Sequence, residues 1–181
     1  MAEGATIVFA GGGTGGHIYP NIAVVEHLRA MRVPFAPEFV VSRRPRDKEI
    51  LLHEHLPLVQ LPVLPLTKNP MRWLDWWANW RISVKMAHEL IDTKNVRAVV
   101  ATGGFVSGPI VVAAKKKKIP VALVNLDAVP GKANRYLSRK ATKKFTAYKS
   151  LRLMGAELIG VPLRRAAIGF DNPASARLEL G

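Results

Sequence analysis

The chain has 181 residues, 49% of them apolar, and a mean hydropathy of +0.09, which marks it as globular rather than disordered and suffices for one well-buried domain. Lysine and arginine number 27 against 13 aspartates and glutamates, and the resulting net charge of +14 implies an anionic partner: nucleic acid, a phosphorylated ligand or a lipid surface. Cysteine is absent, which excludes disulfide frameworks and thiolate metal sites and favours a reducing compartment, the cytoplasm.

The opening MAEGATIVFAGGG lacks a basic segment followed by a long apolar one, and no run of about 18 apolar residues occurs, so any membrane contact is expected to be peripheral. Thr6–Ala10 is apolar and β-favouring and breaks at Gly11-Gly12-Gly13; after Pro20, the spacing of Ile22, Val25 and Leu28 predicts a helix. Further strands are expected at Glu38–Val41, Leu58–Pro62, Arg97–Ala101, Val121–Val124 and Lys144–Ala147, with helical patterns between most of them. Repeated βα units predict an α/β fold, a Rossmann-like doubly wound parallel sheet. Residues 1–170 read as one domain, and Asp171–Gly181 as a linker.

Two glycine-rich turns stand where a strand gives way to a helix: Gly11-Gly12-Gly13-Thr14-Gly15-Gly16-His17 and Gly103-Gly104-Phe105-Val106-Ser107-Gly108-Pro109. Glycine lets the backbone approach a ligand closely, and helix-terminal N–H groups favour an anion. The first turn is not a Walker A loop, because no Gly-Lys-Ser/Thr follows, and its spacing departs from the dinucleotide fingerprint. In a parallel sheet both turns lie at carboxyl ends of strands, where they are expected to line one crevice.

All four tryptophans fall within Trp73-Leu74-Asp75-Trp76-Trp77-Ala78-Asn79-Trp80, so helical spacing puts Trp73, Trp76, Trp77 and Trp80 on one stripe. Lys68, Arg72, Arg81 and Lys85 surround it, as in a helix lying in the headgroup region of an anionic bilayer; the alternative is a core stripe. Lys115–Lys118 close an apolar helix, where cations suit the negative end of the dipole. His53 and His55 flank Glu54 without sharing a helix face, and no metal site is expected.

GGGTGGHIYPNIAVVEHL together with GGFVSGP resembles the paired glycine loops of the MurG family of UDP-N-acetylglucosamine transferases. Asn134-Arg135-Tyr136-Leu137 and Gly160-Val161-Pro162-Leu163-Arg164 fall where that family carries related sequence. The resemblance implies the N-terminal half of a GT-B glycosyltransferase, in which two Rossmann-like domains face a cleft with the acceptor mainly on the first. It implies peripheral attachment at the cytoplasmic face of the plasma membrane, UDP-GlcNAc as donor, undecaprenyl-linked lipid I as acceptor, an anionic membrane surface as partner, and no cofactor. The donor domain would lie beyond Gly181, and alone the chain is expected to be inactive or nearly so.

The implied inverting chemistry needs a base beside the attacking hydroxyl, and His17 is the first candidate, the alternative being a histidine that packs its own loop. Thr14, Gly15 and Gly16 match positions that contact the donor, Arg164 matches an arginine of similar assignment, and Gly103, Gly104, Ser107 and Asn134 join the expected substrate site. Where relatives usually read His-Glu-Gln-Asn, this chain has Val124-Asn125-Leu126-Asp127; Asp127 is a second candidate base or a turn-forming aspartate.

Three other readings stand beside this one. A natural half of a split transferase that recruits a separate catalytic subunit would usually carry an N-terminal anchor. A nucleic-acid binder would interleave aromatic and basic residues instead of gathering four tryptophans in one helix, so no nucleic acid is expected. A dinucleotide-dependent dehydrogenase would place an acid where Ser42-Arg43-Arg44 follow the second strand.

Overall fold

The protein's structure, a computed structural model, describes residues 4–13, 15–67, 69–150 and 152–168. Its strands are β1 (Ala5–Ala10), β2 (Phe35–Ser42), β3 (Leu58–Leu61), β4 (Val96–Ala101), β5 (Val121–Asn125), β6 (Lys143–Thr146) and β7 (Glu157–Leu158). They form one sheet in the order β3-β2-β1-β4-β5-β6-β7, and every neighbouring pair is parallel. The helices are α1 (Gly15–Ala30), α2 (Pro45–His53), α3 (Trp73–Thr93), α4 (Ser107–Lys116), α5 (Lys132–Ser138) and α6 (Arg165–Ile168).

The continuous apolar runs of the inner strands follow from burial on both faces. Successive side chains alternate between the faces, so Val8 and Ala10 join Val40, Ala87, Ile110, Leu123 and Leu137 beneath α3, α4 and α5. Phe9 points the other way, into a core with Phe39, Ile18, Ile22 and Leu51 beneath α1 and α2. The Phe9 and Phe39 rings stack there with centroids 5.4 Å apart.

The expected Rossmann-like doubly wound sheet is present, and the expected strands lie within a few residues of those observed. Two features differ. Helix α1 starts at Gly15, not after Pro20, so Pro20 lies inside it; the missing amide leaves the Gly16 carbonyl without its i+4 donor. Strand β7 went unread because it is two exposed residues with no apolar pattern. The linker expected at Asp171–Gly181 lies outside the described residues.

Candidate active site at the β1–β4 junction

Chain order runs outward from β1 through β2 to β3 on one side of the sheet, then restarts at β4 and runs to β7 on the other. β1 and β4 flank the reversal, and open α/β folds bind ligands beyond the carboxyl ends of such a pair. Both glycine loops stand there, one after each strand. The Thr102 amide donates to the Ala10 carbonyl at 3.0 Å. The Thr102 hydroxyl accepts from Asn21 Nδ2 at 3.1 Å and donates to the His17 carbonyl at 2.7 Å. A Cβ on Gly104 would come within 2.9 Å of the Gly12 carbonyl oxygen and 3.6 Å of His17 Cδ2, so the two loops and the imidazole are in direct contact.

The first loop is gripped from α2. Gly13 adopts φ +92°, a left-handed conformation suited to glycine. Its N–H donates to Asp47 Oδ2 at 2.9 Å, and the Arg44 guanidinium donates to its carbonyl. Asp47 is buried and also accepts from the Ser42 hydroxyl at 2.5 Å. Arg44 reaches across the junction, with its guanidinium 5.8 Å from the centroid of the Phe105 ring in the second loop. Beside the first loop opens a cleft of about 500 Å³ lined by Gly13, Gly15, Gly16, Tyr19, Arg44, Arg46 and Asp47.

His17 stands half-buried in the first turn of α1, not at the end of a loop. Burial pushes its pKa below the ordinary 6.5, opposed by the charges of Asp127 and Asp47, so the neutral, proton-accepting imidazole is favoured. Its Nδ1 has no hydrogen-bond partner among the described residues. Asp127 is exposed beyond the end of β5. The turn before it is held by Asn125, whose amide donates to the Asp127 carbonyl at 2.6 Å.

Gly16 is exposed and Gly15 and Gly104 are half-buried, whereas Gly103, Ser107 and Asn134 are buried supports of the second loop. Gly103 has φ +108°, and a Cβ there would fall 2.3 Å from Asn134 Oδ1. The Ser107 hydroxyl donates to the Gly103 carbonyl at 2.7 Å, and Asn134 Nδ2 donates to Asn125 Oδ1 at 2.8 Å. Thr14 lies outside the described residues. Arg164 is not among the groups brought together at this junction: its fork is filled by Glu26 on α1 and Glu54 just past the end of α2.

Sequence reasoning missed Asp47 and Arg46 and used Arg44 only as a departure from the dehydrogenase pattern. The signal was Arg44-Pro45-Arg46-Asp47, where proline opens α2 and an acid follows in its first turn.

The tryptophan stripe splits in two. Trp73 and Trp77 are 56% and 53% exposed, beside the exposed Arg72 and Arg81. Trp80 packs against the core and covers Gly108, where a Cβ would lie 2.7 Å from its ring. Trp76 stacks on Trp80 at 5.6 Å between centroids. Between α3 and α4 runs an open groove of about 530 Å³, floored by Trp77, Trp80, Val84 and Val112 and edged by Arg81, Lys85 and Lys116. No helix among the described residues is long and apolar enough to cross a membrane.

The class that this fold and junction define is a Rossmann-like domain of the GT-B type. The chain belongs to the glycosyltransferase family 28 N-terminal domain family, which residues 7–146 match. It is similar to the UDP-N-acetylglucosamine--N-acetylmuramyl-(pentapeptide) pyrophosphoryl-undecaprenol N-acetylglucosamine transferase of Frankia casuarinae, 34% identical over 95% of this chain and 46% of that protein. The transferase of the same name from Streptomyces avermitilis is 31% identical over 93% of this chain and 47% of its own length. The crystal structure of Acinetobacter baumannii MurG shares the fold with a TM-score of 0.76 and 23% identity, covering 89% of this chain and 47% of that one. The chain thus spans about half the length of the curated relatives it matches.

Proposed function

We propose that the chain is the acceptor-side half of an inverting glycosyltransferase that moves N-acetylglucosamine from UDP-GlcNAc to an undecaprenyl-linked muramyl-pentapeptide acceptor, lipid I to lipid II, and that it needs a donor-binding domain to act. The observation that carries this reading is the meeting of both glycine loops around His17 beside a cleft that holds Arg44 and Arg46. Neutral His17 takes the proton of the acceptor hydroxyl as that oxygen attacks the anomeric carbon; the bond from that carbon to UDP breaks, and UDP leaves with the electron pair. Asp127 is the second candidate for the base. Gly15 and Gly16 admit the ligand backbone-close, Gly104 lets the second loop pack on the Gly12 carbonyl, Gly103, Ser107 and Asn134 hold the second loop in shape, and the two arginines suit phosphate oxygens.

The protein works at the cytoplasmic face of the membrane as a peripheral enzyme in this reading. Support comes from the exposed Met71, Trp73, Leu74, Trp77 and Ile82, which sit among Arg72, Arg81 and Lys85 on a chain of net charge +14.

The test is transfer of radiolabelled N-acetylglucosamine from UDP-GlcNAc to a lipid I analogue, comparing this chain alone with the chain joined to the C-terminal domain of a relative. Transfer is expected only in the joined protein, with a loss of about 100-fold or more on His17→Ala. Transfer by the chain alone, or none by a joined protein shown to be folded, overturns the reading.

A further inference from the structure

Arg44 leaves the chain just past the carboxyl end of β2, and its backbone is held on both sides. Pro45 opens α2 and keeps the residue before it out of the helical region, so Arg44 is extended at φ −69° and ψ 131°. Its N–H donates to the Ser42 hydroxyl oxygen at 3.5 Å. Its carbonyl accepts from the amides of Asp47 and Lys48 at 3.1 and 3.4 Å. The long side chain thus starts from a fixed base.

From that base it serves both glycine loops. Nη1 donates to the Gly13 carbonyl in the first loop. The guanidinium carbon lies 5.8 Å from the centroid of the Phe105 ring in the second, within reach of cation–π attraction. The three groups close on one point: a Cβ on Gly13 would come within 3.5 Å of Phe105 Cε1 and 3.6 Å of Arg44 Nη1. Gly13 is therefore gripped at both of its backbone polar groups from the start of α2, the N–H by Asp47 and the carbonyl by Arg44. Asp47 is buried and acts within the first loop, whereas Arg44 is exposed and crosses to the other. The bonds of the Thr102 hydroxyl tie the junction at its buried base, and Arg44 ties it at the solvent rim.

We propose that Arg44 is a positioning residue, a crosspiece that holds the two glycine loops at one spacing around His17, and not a ligand for phosphate oxygens. The proposal rests on the site reading above and narrows it, since one edge of this guanidinium is committed to a carbonyl and one face to a ring. Arg46, exposed on the first turn of α2 and lining the same cleft, is left as the cation for phosphate. Lysine is a poor substitute for a crosspiece, because an ammonium has no planar face to lay on the ring while an edge donates elsewhere.

Hydrogen exchange at the Gly13 amide, measured on this chain by itself, tests the crosspiece. Arg44→Ala is expected to exchange about tenfold faster, and Arg44→Lys nearly as fast. Phe105→Leu is expected to speed exchange about threefold in the parent chain and not at all in an Arg44→Ala background, because the ring acts on the first loop through the guanidinium. Unchanged exchange in Arg44→Ala, or an effect of Phe105→Leu that is the same in both backgrounds, overturns the proposal. In the joined protein, Arg44→Ala and Arg44→Lys should both lower kcat about tenfold and leave KM for the lipid I analogue within about twofold of the parent. A phosphate ligand demands the reverse: KM rises about tenfold in Arg44→Ala and is restored in Arg44→Lys, which keeps the charge. That pattern overturns the crosspiece as well. The exchange readout needs no sugar transfer, so it succeeds or fails separately from the transferase reading.

Discussion

Asp47 is a buried acid inside a strongly basic chain, and its two recorded partners explain why it is tolerated. It accepts from the Gly13 N–H and the Ser42 hydroxyl, and a side chain on Gly12 would come within 2.7 Å of it. The carboxylate thus fixes both the end of β2 and the conformation of the first loop. Asp47→Ala leaves the Gly13 N–H and the Ser42 hydroxyl without an acceptor, and each orphaned group costs about 1–3 kcal/mol. A urea titration should show that loss in the midpoint, with Asp47→Asn intermediate because one acceptor oxygen survives; an unchanged midpoint in Asp47→Ala would contradict the assigned role. Nothing in the spacing of the glycines reveals this residue, because its contact to Gly13 spans 34 positions of sequence.

Among the elements, α3 shows how far periodicity carries. Spacing placed four tryptophans on one stripe, and the helix is there, Trp73–Thr93. Spacing cannot say what lies opposite each ring, and here α4 covers Trp80 through Gly108 while Trp73 and Trp77 stay outside. Exposure therefore leaves Trp73 and Trp77 to carry the proposed membrane contact, while Trp80 has a packing role. Trp73→Ser/Trp77→Ser should weaken binding to anionic vesicles with little change in stability, whereas Trp80→Ser should cost about 3 kcal/mol or more of fold. Vesicle binding that survives the first variant would remove the interfacial reading. The start of α1 was harder to read for a local reason: Pro20 suggests a helix beginning, and only the packing of Ile18 in the core shows that the turn before it is already helical.

For the molecule as a whole, the parallel sheet and the pairing of its two loops were legible because apolar runs and glycine turns alternate along the chain. The partners of Arg164 were not, since Glu26 and Glu54 lie 138 and 110 positions away in sequence. Titration has a whole-molecule consequence as well. His17 in the folded protein takes a proton at lower pH than its ordinary 6.5, so the unfolded chain binds more protons and stability falls as pH drops below 6.5. Glu26 is pushed up by burial, but the Arg165 amide, Arg164 and the nearby His27 charge more than offset this, so its pKa lies below 4.5 and its contribution is lost as pH falls beneath that value. Thermal unfolding at stepped pH should therefore show two acid-labile windows, the upper one absent in His17→Gln; retention of the upper window in that variant would contradict the assignment.

The crowding of every tryptophan into positions 73–80 makes the protein optically lopsided. Intrinsic indole emission reports the α3–α4 side of the sheet and is nearly blind to the Phe9–Phe39 core beneath α1 and α2. A melting curve followed by emission and one followed by far-ultraviolet circular dichroism thus watch different amounts of the same fold. Where the two curves coincide, the faces melt as one cooperative unit; where emission changes first, the α3–α4 side loosens ahead of the glycine loop's own support.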